Sequence, residues 1–366
     1  MEVNGFQAMA QLRRIVLKGY KSIKEMDLTL RPINVLIGPN GVGKSNLISF
    51  FRLLHDIVER RLQQHVVKSG GGDRLLHYGV RTTREIDAEL YFGNNGYMVK
   101  LEHAAEDTLI IGREHMYWEY AGVKKGIQYN ARESGALQAY NDDPSGIPGY
   151  VVPSIQRWVV YHFHDTSASA PVKQTGDLHD NRNLRRDGAN LAAYLYLLQE
   201  KHLAHYDLIR ATIRQVFPLF GDFALRPNPL AEDTIRLEWF EAGSDYAFGP
   251  HQLSDGTLRF MCLATLLLQP QLPDTILIDE PELGLHPSAI EALGALIRSA
   301  SRKSQVILST QSISLLNQFE PEDVITVDRI DGASTFTRHT REELAGWLED
   351  YSLADIWEKN IIGGKP

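Results

Sequence analysis

The stretch GPNGVGKS, residues 38–45, constrains the chain more than any other. It follows the short apolar run INVLIG and precedes SNLISFFRLLHDIVERRL, whose apolar residues recur at helical spacing. Strand, glycine-rich turn and helix in that order match G-x-x-x-x-G-K-[ST] at every fixed position. The pattern has a physical reason. Gly38, Gly41 and Gly43 let the backbone curl so that several N–H groups of the loop, which also takes in Pro39, Asn40 and Val42, point inward at phosphate oxygens. The helix that opens at Lys44, Ser45 and Asn46 adds the positive end of its dipole. Lys44 suits the β- and γ-phosphates and the Ser45 hydroxyl suits Mg²⁺. The loop therefore predicts a site for ATP and Mg²⁺ over residues 38–46.

A second element answers to the first. TILIDEPELGLHP, residues 275–287, is an apolar strand that ends in two carboxylates. Asp279, at the strand tip, suits the metal-holding acid that accompanies a phosphate loop. Glu280 suits a general base that polarises the attacking water. Two acids leaving a strand say little alone; coupled to the loop they point to hydrolysis.

The rest of the chain is consistent with an α/β class. After residue 250 the pattern alternates: helix at 256–268, strand TILID, helix at 287–300, strand QVILS, helix at 312–318, strand VITVD. Such alternation implies a parallel sheet covered by helices. Residues 85–130 differ. EIDAELYF, YMVKLEH, DTLIIG and MYWEYAG read as strands of an antiparallel sheet. Residues 131–153 read as loop, and 188–217 as helix ended by Pro218. The expected organisation is an N-terminal part of the ATPase lobe at 12–84, a β-rich insertion at 85–154, the remaining lobe with a helical subdomain at 155–250, and a C-terminal part at 251–366. Residues 1–11 read as a patternless leader.

Composition narrows the class further. A chain of 366 residues, 43% hydrophobic, has ample material for a core. The net charge of −8 argues against a dedicated nucleic-acid binder, though a local basic patch on an acidic protein stays open. The single cysteine, Cys262, rules out an internal disulfide and fits a reducing compartment. No apolar run approaches the ~20 residues needed to span a bilayer. No cationic and apolar leader opens the chain. The expectation is a cytoplasmic protein with no membrane partner. His162, His164 and Asp165 tempt as metal ligands, but nothing is spaced to complete a tetrahedral site. Arg182, Arg185 and Arg186 read more simply as a solvated loop than as phosphate contacts.

One more stretch, LSDGTLRF at 253–260, looks like a variant of the L-S-G-G-Q signature of ABC-type ATPases. Leu253, Ser254 and Gly256 match; Asp255 replaces a glycine and Thr257 the glutamine. With the loop at 38–45 and the acids at 279–280, the order and spacing resemble ABC-type ATPases of the RecF, SMC and OLD group. The resemblance is strongest to stand-alone ATPases filed as AAA-type proteins of the SMC/RecF kind. GYKSI (19–23), YHFHDTS (161–167), NLRRDGANLAAYLYLL (183–198) and IWEKNIIGG (356–364) extend it over nearly the whole chain.

The resemblance implies an ABC-type P-loop NTPase head: a mixed sheet with flanking helices, an antiparallel β subdomain and a helical insertion. It implies that the turn Leu253, Ser254, Asp255 and Gly256 faces the nucleotide of a second copy, with Leu253, Ser254 and Gly256 meeting its γ-phosphate, so that composite ATP sites make a homodimer or higher oligomer. ELGLHP stands at the D-loop, and Gln311 stands where the switch histidine is usual. A glutamine amide can donate to phosphate but carries no charge. Arg74 and Arg81 lie where related proteins place a phosphate-contacting arginine. Neither Gln156 nor His164 clearly fills the Q-loop. Only about 200 residues separate loop and signature, too few for a coiled-coil arm, and no nuclease domain is expected after the ATPase. Asp255 is expected to turn away from nucleotide and cap the following helix.

The expected function is an ATP-hydrolysing switch that closes and opens in pairs and controls a separate effector, a nuclease being one choice, in a DNA-linked antiviral defence system. Two alternatives stay open: a RecF-like repair ATPase that binds DNA, and a weakly active regulatory nucleotide-binding protein, which Gln311 motivates.

Overall fold

The computed structural model describes residues 11–118 and 123–364. The reading of residues 1–10 as a leader, and the end of MYWEYAG, lie outside the described residues. The chain divides into two compact units. The first takes the chain up to Val159 together with Pro273–Leu277 and the segment from Pro321 onward; the second takes Val160–Leu272 and Ile278–Glu320.

The first unit contains a six-stranded sheet in the order Ile23–Thr29, Arg14–Tyr20, Glu85–Phe92, Asn95–Ala104, Thr108–Trp118, Val123–Ala131. Every neighbouring pair is antiparallel. EIDAELYF alternates buried and part-exposed residues along its length, because one face lies on the core and the other toward solvent. Ile15 pairs with Leu90 and Leu17 with Ala88, which keeps one apolar face in register.

INVLI, Ile33–Ile37, is buried throughout and pairs in parallel with Val324–Ile330. That strand turns back antiparallel into Ala333–Arg338. The turn is Asp331–Gly332, both at positive φ, the two-residue connection that matches strand twist. The unit thus carries parallel and antiparallel pairs together.

The helix Lys44–Val58 follows INVLI and buries Leu47, Ile48, Phe50, Phe51, Leu54, Ile57 and Val58. Phe50 meets Tyr20 edge-on at 5.1 Å, and Phe51 meets Trp158 at 5.0 Å. Trp158 also stacks on Phe92 at 5.9 Å. These aromatic contacts fix the helix on the antiparallel sheet.

Residues 131–153 are not the loop that their composition suggests. Two helices form, Ala136–Asp142 and Ile147–Gln156. Pro148 sits in the first turn of the second helix, where its missing N–H costs nothing, and Gly146 lies at its cap. Val151, Val152 and Ile155 bury the inner face. The helical stretch near 188–217 is two helices, Leu191–Lys201 and Leu203–Val216, broken at His202.

In the second unit, helix Asp255–Leu268 is buried at every position from Leu258 to Leu267, as a helix at the centre of a core must be. Helix Pro287–Ala300 leads to strand Gln305–Thr310, all six residues of which are buried. A small antiparallel sheet, Phe220–Phe223, Trp239–Glu241 and Ala247–Phe248, stacks Trp239 on Phe248 at 4.9 Å. Among the described residues no helix is long and apolar enough to cross a membrane.

One buried acid ties the antiparallel sheet to the helices beyond it. Glu114 is fully buried and accepts from the Tyr97 hydroxyl at 2.6 Å, the Ser134 hydroxyl at 2.6 Å and the Gly135 N–H at 2.9 Å. Burial holds its carboxyl above the ordinary carboxylate range although all three donors favour the charged form. Glu114→Ala would leave those donors without their acceptor. It is expected to lower unfolding stability by about 3 kcal/mol, measured by urea titration of the full chain.

Candidate functional site

The phosphate-loop residues take the conformation their spacing requires. Gly38, Gly41 and Gly43 have φ of 152°, 80° and 115°, a region L side chains rarely adopt. A Cβ on Gly38 would lie 2.3 Å from the Val327 carbonyl oxygen, and one on Gly43 would lie 2.2 Å from the Ser334 hydroxyl. Nothing approaches the Cα of Gly41, which faces open space. The Lys44 ammonium is buried in the loop and donates to the carbonyls of Gly38 at 2.5 Å and Pro39 at 2.9 Å. Ser45 is exposed at the start of a helix of 15 residues. A curled backbone, a lysine folded into it and an exposed hydroxyl at a helix N-terminus fit a phosphate chain with its metal ion.

Two serines that the sequence reading passed over buttress the loop. Ser334 donates its hydroxyl proton to the Val42 carbonyl and shares a hydrogen bond of 2.7 Å with the Ser22 hydroxyl, to which Asn46 donates at 2.7 Å. The outer strand Ala333–Arg338 and the turn after Tyr20 thus hold the loop from outside. Arg74 and Arg81 are both exposed. Gln156 is engaged with Glu59 at 2.6 Å.

The acids at the end of Thr275–Asp279 are held as a group. Asp279 accepts from the Ser309 hydroxyl. Glu280 has φ of 44°, unusual for a residue with a side chain, and its N–H donates to the Ser309 carbonyl at 3.0 Å. Its carboxylate accepts from the Gln311 side-chain amide at 2.5 Å. Glu282 accepts on Oε1 from the Thr310 hydroxyl at 2.5 Å and from the Gln311 N–H at 3.1 Å. Burial raises the Glu282 carboxyl above its ordinary range. The residues Ser309, Thr310 and Gln311 therefore donate to three different carboxylates. The sequence singled out Asp279, Glu280 and Gln311, which lie in this group, and did not single out Ser309, Thr310 or Glu282. The signal was there: a Ser-Thr pair directly before Gln311, at the tip of a strand neighbouring the acids in chain order.

Leu253–Gly256 opens helix Asp255–Leu268. The cap is Ser254, whose hydroxyl accepts from the Thr257 N–H at 3.1 Å. Asp255 is the first helical residue and not the cap. Its carboxylate lies 3.7 Å from the buried Lys173 ammonium, which also donates to the Thr166 carbonyl at 2.5 Å. Serine wins the cap because its short hydroxyl reaches the third N–H from the extended conformation observed here. Asp255 instead places its charge in the first turn, where the dipole favours it.

Gly256 faces the segment ELGLHP. A Cβ there would come within 2.2 Å of the Gly284 carbonyl oxygen, so the two turns touch through glycine. Arg259, buried and unremarked in the sequence, donates from Nε to the Phe163 carbonyl at 2.9 Å and from Nη2 to the His164 carbonyl at 3.2 Å. Burial lowers its pKa, against the fields of Asp255 and Glu282. His286 caps the next helix, accepting at Nδ1 from Ser288. Burial pushes the Cys262 thiol up to about 12, which makes it inert as a nucleophile at neutral pH. Among the described residues no three His, Cys, Asp or Glu side chains are grouped to hold a metal ion, His162 and His164 included.

Comparison with known proteins places this geometry. Residues 33–99 and 148–317 match the model of the family described as "AAA domain, putative AbiEii toxin, Type IV TA system". The OLD nuclease of Thermus scotoductus is 22% identical over 97% of the chain, and the Old nuclease of Escherichia phage P2 is 24% identical over 91%. The chain spans 68% and 61% of the length of these two proteins. Among solved structures, an SMC head bound to the C-winged helix domain of ScpA aligns with a TM-score of 0.52 at 15% identity, covering 92% of this chain and 99% of that one. The Pyrococcus furiosus SMC head with an extended coiled coil aligns with a TM-score of 0.53 at 15% identity, covering 93% and 98%. The fold is that of an ABC-type P-loop ATPase head, as the resemblance implied.

The close approach of Gly256 to Gly284 is directly testable. Gly256→Ala is expected to force the two turns apart and lower unfolding stability by about 1–3 kcal/mol, the usual range for overpacking. Thermal unfolding of the purified variant beside the parent chain checks this.

Proposed function

The chain belongs to the AAA-domain ATPase family whose model it matches, and from that premise we propose that it is an ATP-hydrolysing switch working in pairs. The observation that carries the reading is the loop of positive-φ glycines around buried Lys44. ATP binds with its phosphates along residues 38–46. Lys44 exchanges its contacts with the Gly38 and Pro39 carbonyls for the β- and γ-phosphates. Ser45 and Asp279 are the residues that would hold Mg²⁺ in this reading, and the ion would supply charge neutralisation at the β- and γ-phosphates.

Glu280 acts as the base that orients and deprotonates the attacking water. Its carboxylate needs a fixed direction for that task, and the Gln311 amide supplies it at 2.5 Å. Gln311 thus supports hydrolysis by holding the base as well as by facing phosphate. Ser254 and Gly256 of one copy meet the γ-phosphate held by the other. The helix N-terminus at Asp255 leaves N–H groups to offer, and Asp255 itself is drawn aside toward Lys173. ATP stabilises the closed pair because only that state contacts it from both sides. Loss of the γ-phosphate removes the bridge.

The output is control of a separate effector in a DNA-linked defence system, a reading supported by the two relatives named as nucleases. The alternative, a repair ATPase that itself binds DNA, predicts that duplex DNA raises the hydrolysis rate.

Lys44→Ala is expected to abolish ATP binding, and unchanged hydrolysis in that variant would overturn the assignment of the loop. Glu280→Gln is expected to lower kcat by roughly 10²–10⁴-fold while ATP binding persists. With ATP it should run as a dimer on size exclusion, whereas a monomer at high protein and ATP concentration refutes the paired mechanism.

A further inference from the structure

Glu282 has no role in the reading so far, yet its placement is the most specific of any acid at the site. One oxygen, Oε1, accepts from both the Thr310 hydroxyl at 2.5 Å and the Gln311 N–H at 3.1 Å. The other, Oε2, is buried, with no hydrogen-bond partner among the described residues. Here one oxygen is spent on fixing the backbone of Thr310–Gln311.

That backbone carries the side chain that holds Glu280, Gln311 Nε2 to Glu280 Oε1 being 2.5 Å. Glu280 in turn sits at φ 44°, in a conformation that needs its surroundings to hold it. Two residues beyond Glu282, Gly284 at φ 75° supports Gly256 of the signature turn. A Cβ on Gly284 would lie 3.3 Å from Nη1 of Arg259. Glu282 therefore stands on the short path between the acid that activates water and the turn that meets the second nucleotide.

We propose that Glu282 is a positioning residue: by clamping the main chain of Thr310–Gln311 through Oε1, it aims the Gln311 amide and so sets the direction of the Glu280 carboxylate. The proposal rests on the ATPase reading above and deepens it. Because the clamp needs an acceptor oxygen and no charge, a carboxamide can serve. Because a misplacement of about 1 Å at a reacting group costs roughly 10²-fold in rate, the effect falls on kcat.

The test measures kcat and KM for ATP, with unfolding temperature, on the full chain. Glu282→Ala is expected to lower kcat at least roughly tenfold with KM within about twofold of the parent, the pattern of a lost transition-state contribution. Glu282→Gln should stay within about threefold of the parent in kcat. In a Gln311→Ala background, Glu282→Ala should add less than about threefold, because both act through one contact. Should Glu282→Ala fail to fold, Thr310→Val, which removes one donor to Oε1 at equal volume, carries the same expectation. Unchanged kcat in Glu282→Ala or Thr310→Val overturns the proposal. So does a Gln variant as slow as the Ala variant, or full additivity with Gln311→Ala. In those cases Lys44→Ala and Glu280→Gln still lose activity and the ATPase reading stands; if they too hydrolyse ATP at the parent rate, both readings fall.

Discussion

Three carboxylates of like charge within four residues, Asp279, Glu280 and Glu282, set the terms on which the second unit is built. Neighbouring like charges in a partly buried site repel one another, so each is stabilised by a donor of its own. The strand end Ser309–Thr310–Gln311 supplies one to each. The backbone joins in: Glu280 N–H to the Ser309 carbonyl, and Gln311 N–H to Glu282. This lacing explains why strand Gln305–Thr310 is buried along its whole length while its tip is polar. It also explains how Glu280 can stay at a positive φ, since the contacts on both sides of it over-determine its backbone.

Close backbone approach is the second constraint, and glycine meets it in both units. At Gly38 and Gly43 the neighbours are Val327 and Ser334, from strands that flank the phosphate loop. At Gly256 the neighbour is Gly284, itself at positive φ. A methyl group at any of these contacts would enter an oxygen's van der Waals shell. Glycine here is a requirement of packing as much as of turn geometry. The signature turn can lie directly on the segment that follows the acids because Gly256 carries no Cβ where it meets the Gly284 carbonyl oxygen.

What the sequence made legible is what depends on local pattern. The phosphate loop is one continuous stretch with fixed spacing, and the apolar run before it and the amphipathic run after it gave strand and helix. The acids at 279 and 280 stand at the tip of an unmistakable strand. Glu282, Ser309 and Thr310 were not legible, because their meaning lies in contacts across about 30 residues of chain that no local pattern encodes. Composition misled at 131–153, where Gly146 and Pro148 mark the start of a helix rather than a loop. Asp255 and Ser254 are both good capping residues, and only the observed backbone decides between them.

The nature of residue 311 follows from the same lacing. A histidine there would change charge near neutral pH, and in its neutral form would offer one ring nitrogen as donor only in one tautomer. Beside the Glu280 and Glu282 carboxylates it would tend toward the charged form and pull Glu280 into an ion pair. A glutamine amide donates at every pH and adds no charge. It can therefore hold the Glu280 carboxylate without forming an ion pair, while Glu282 holds the glutamine in turn. Under the proposed reading, glutamine in place of histidine at 311 and the acid at 282 form one arrangement: the Gln311 amide holds Glu280, and Glu282 holds the Gln311 main chain.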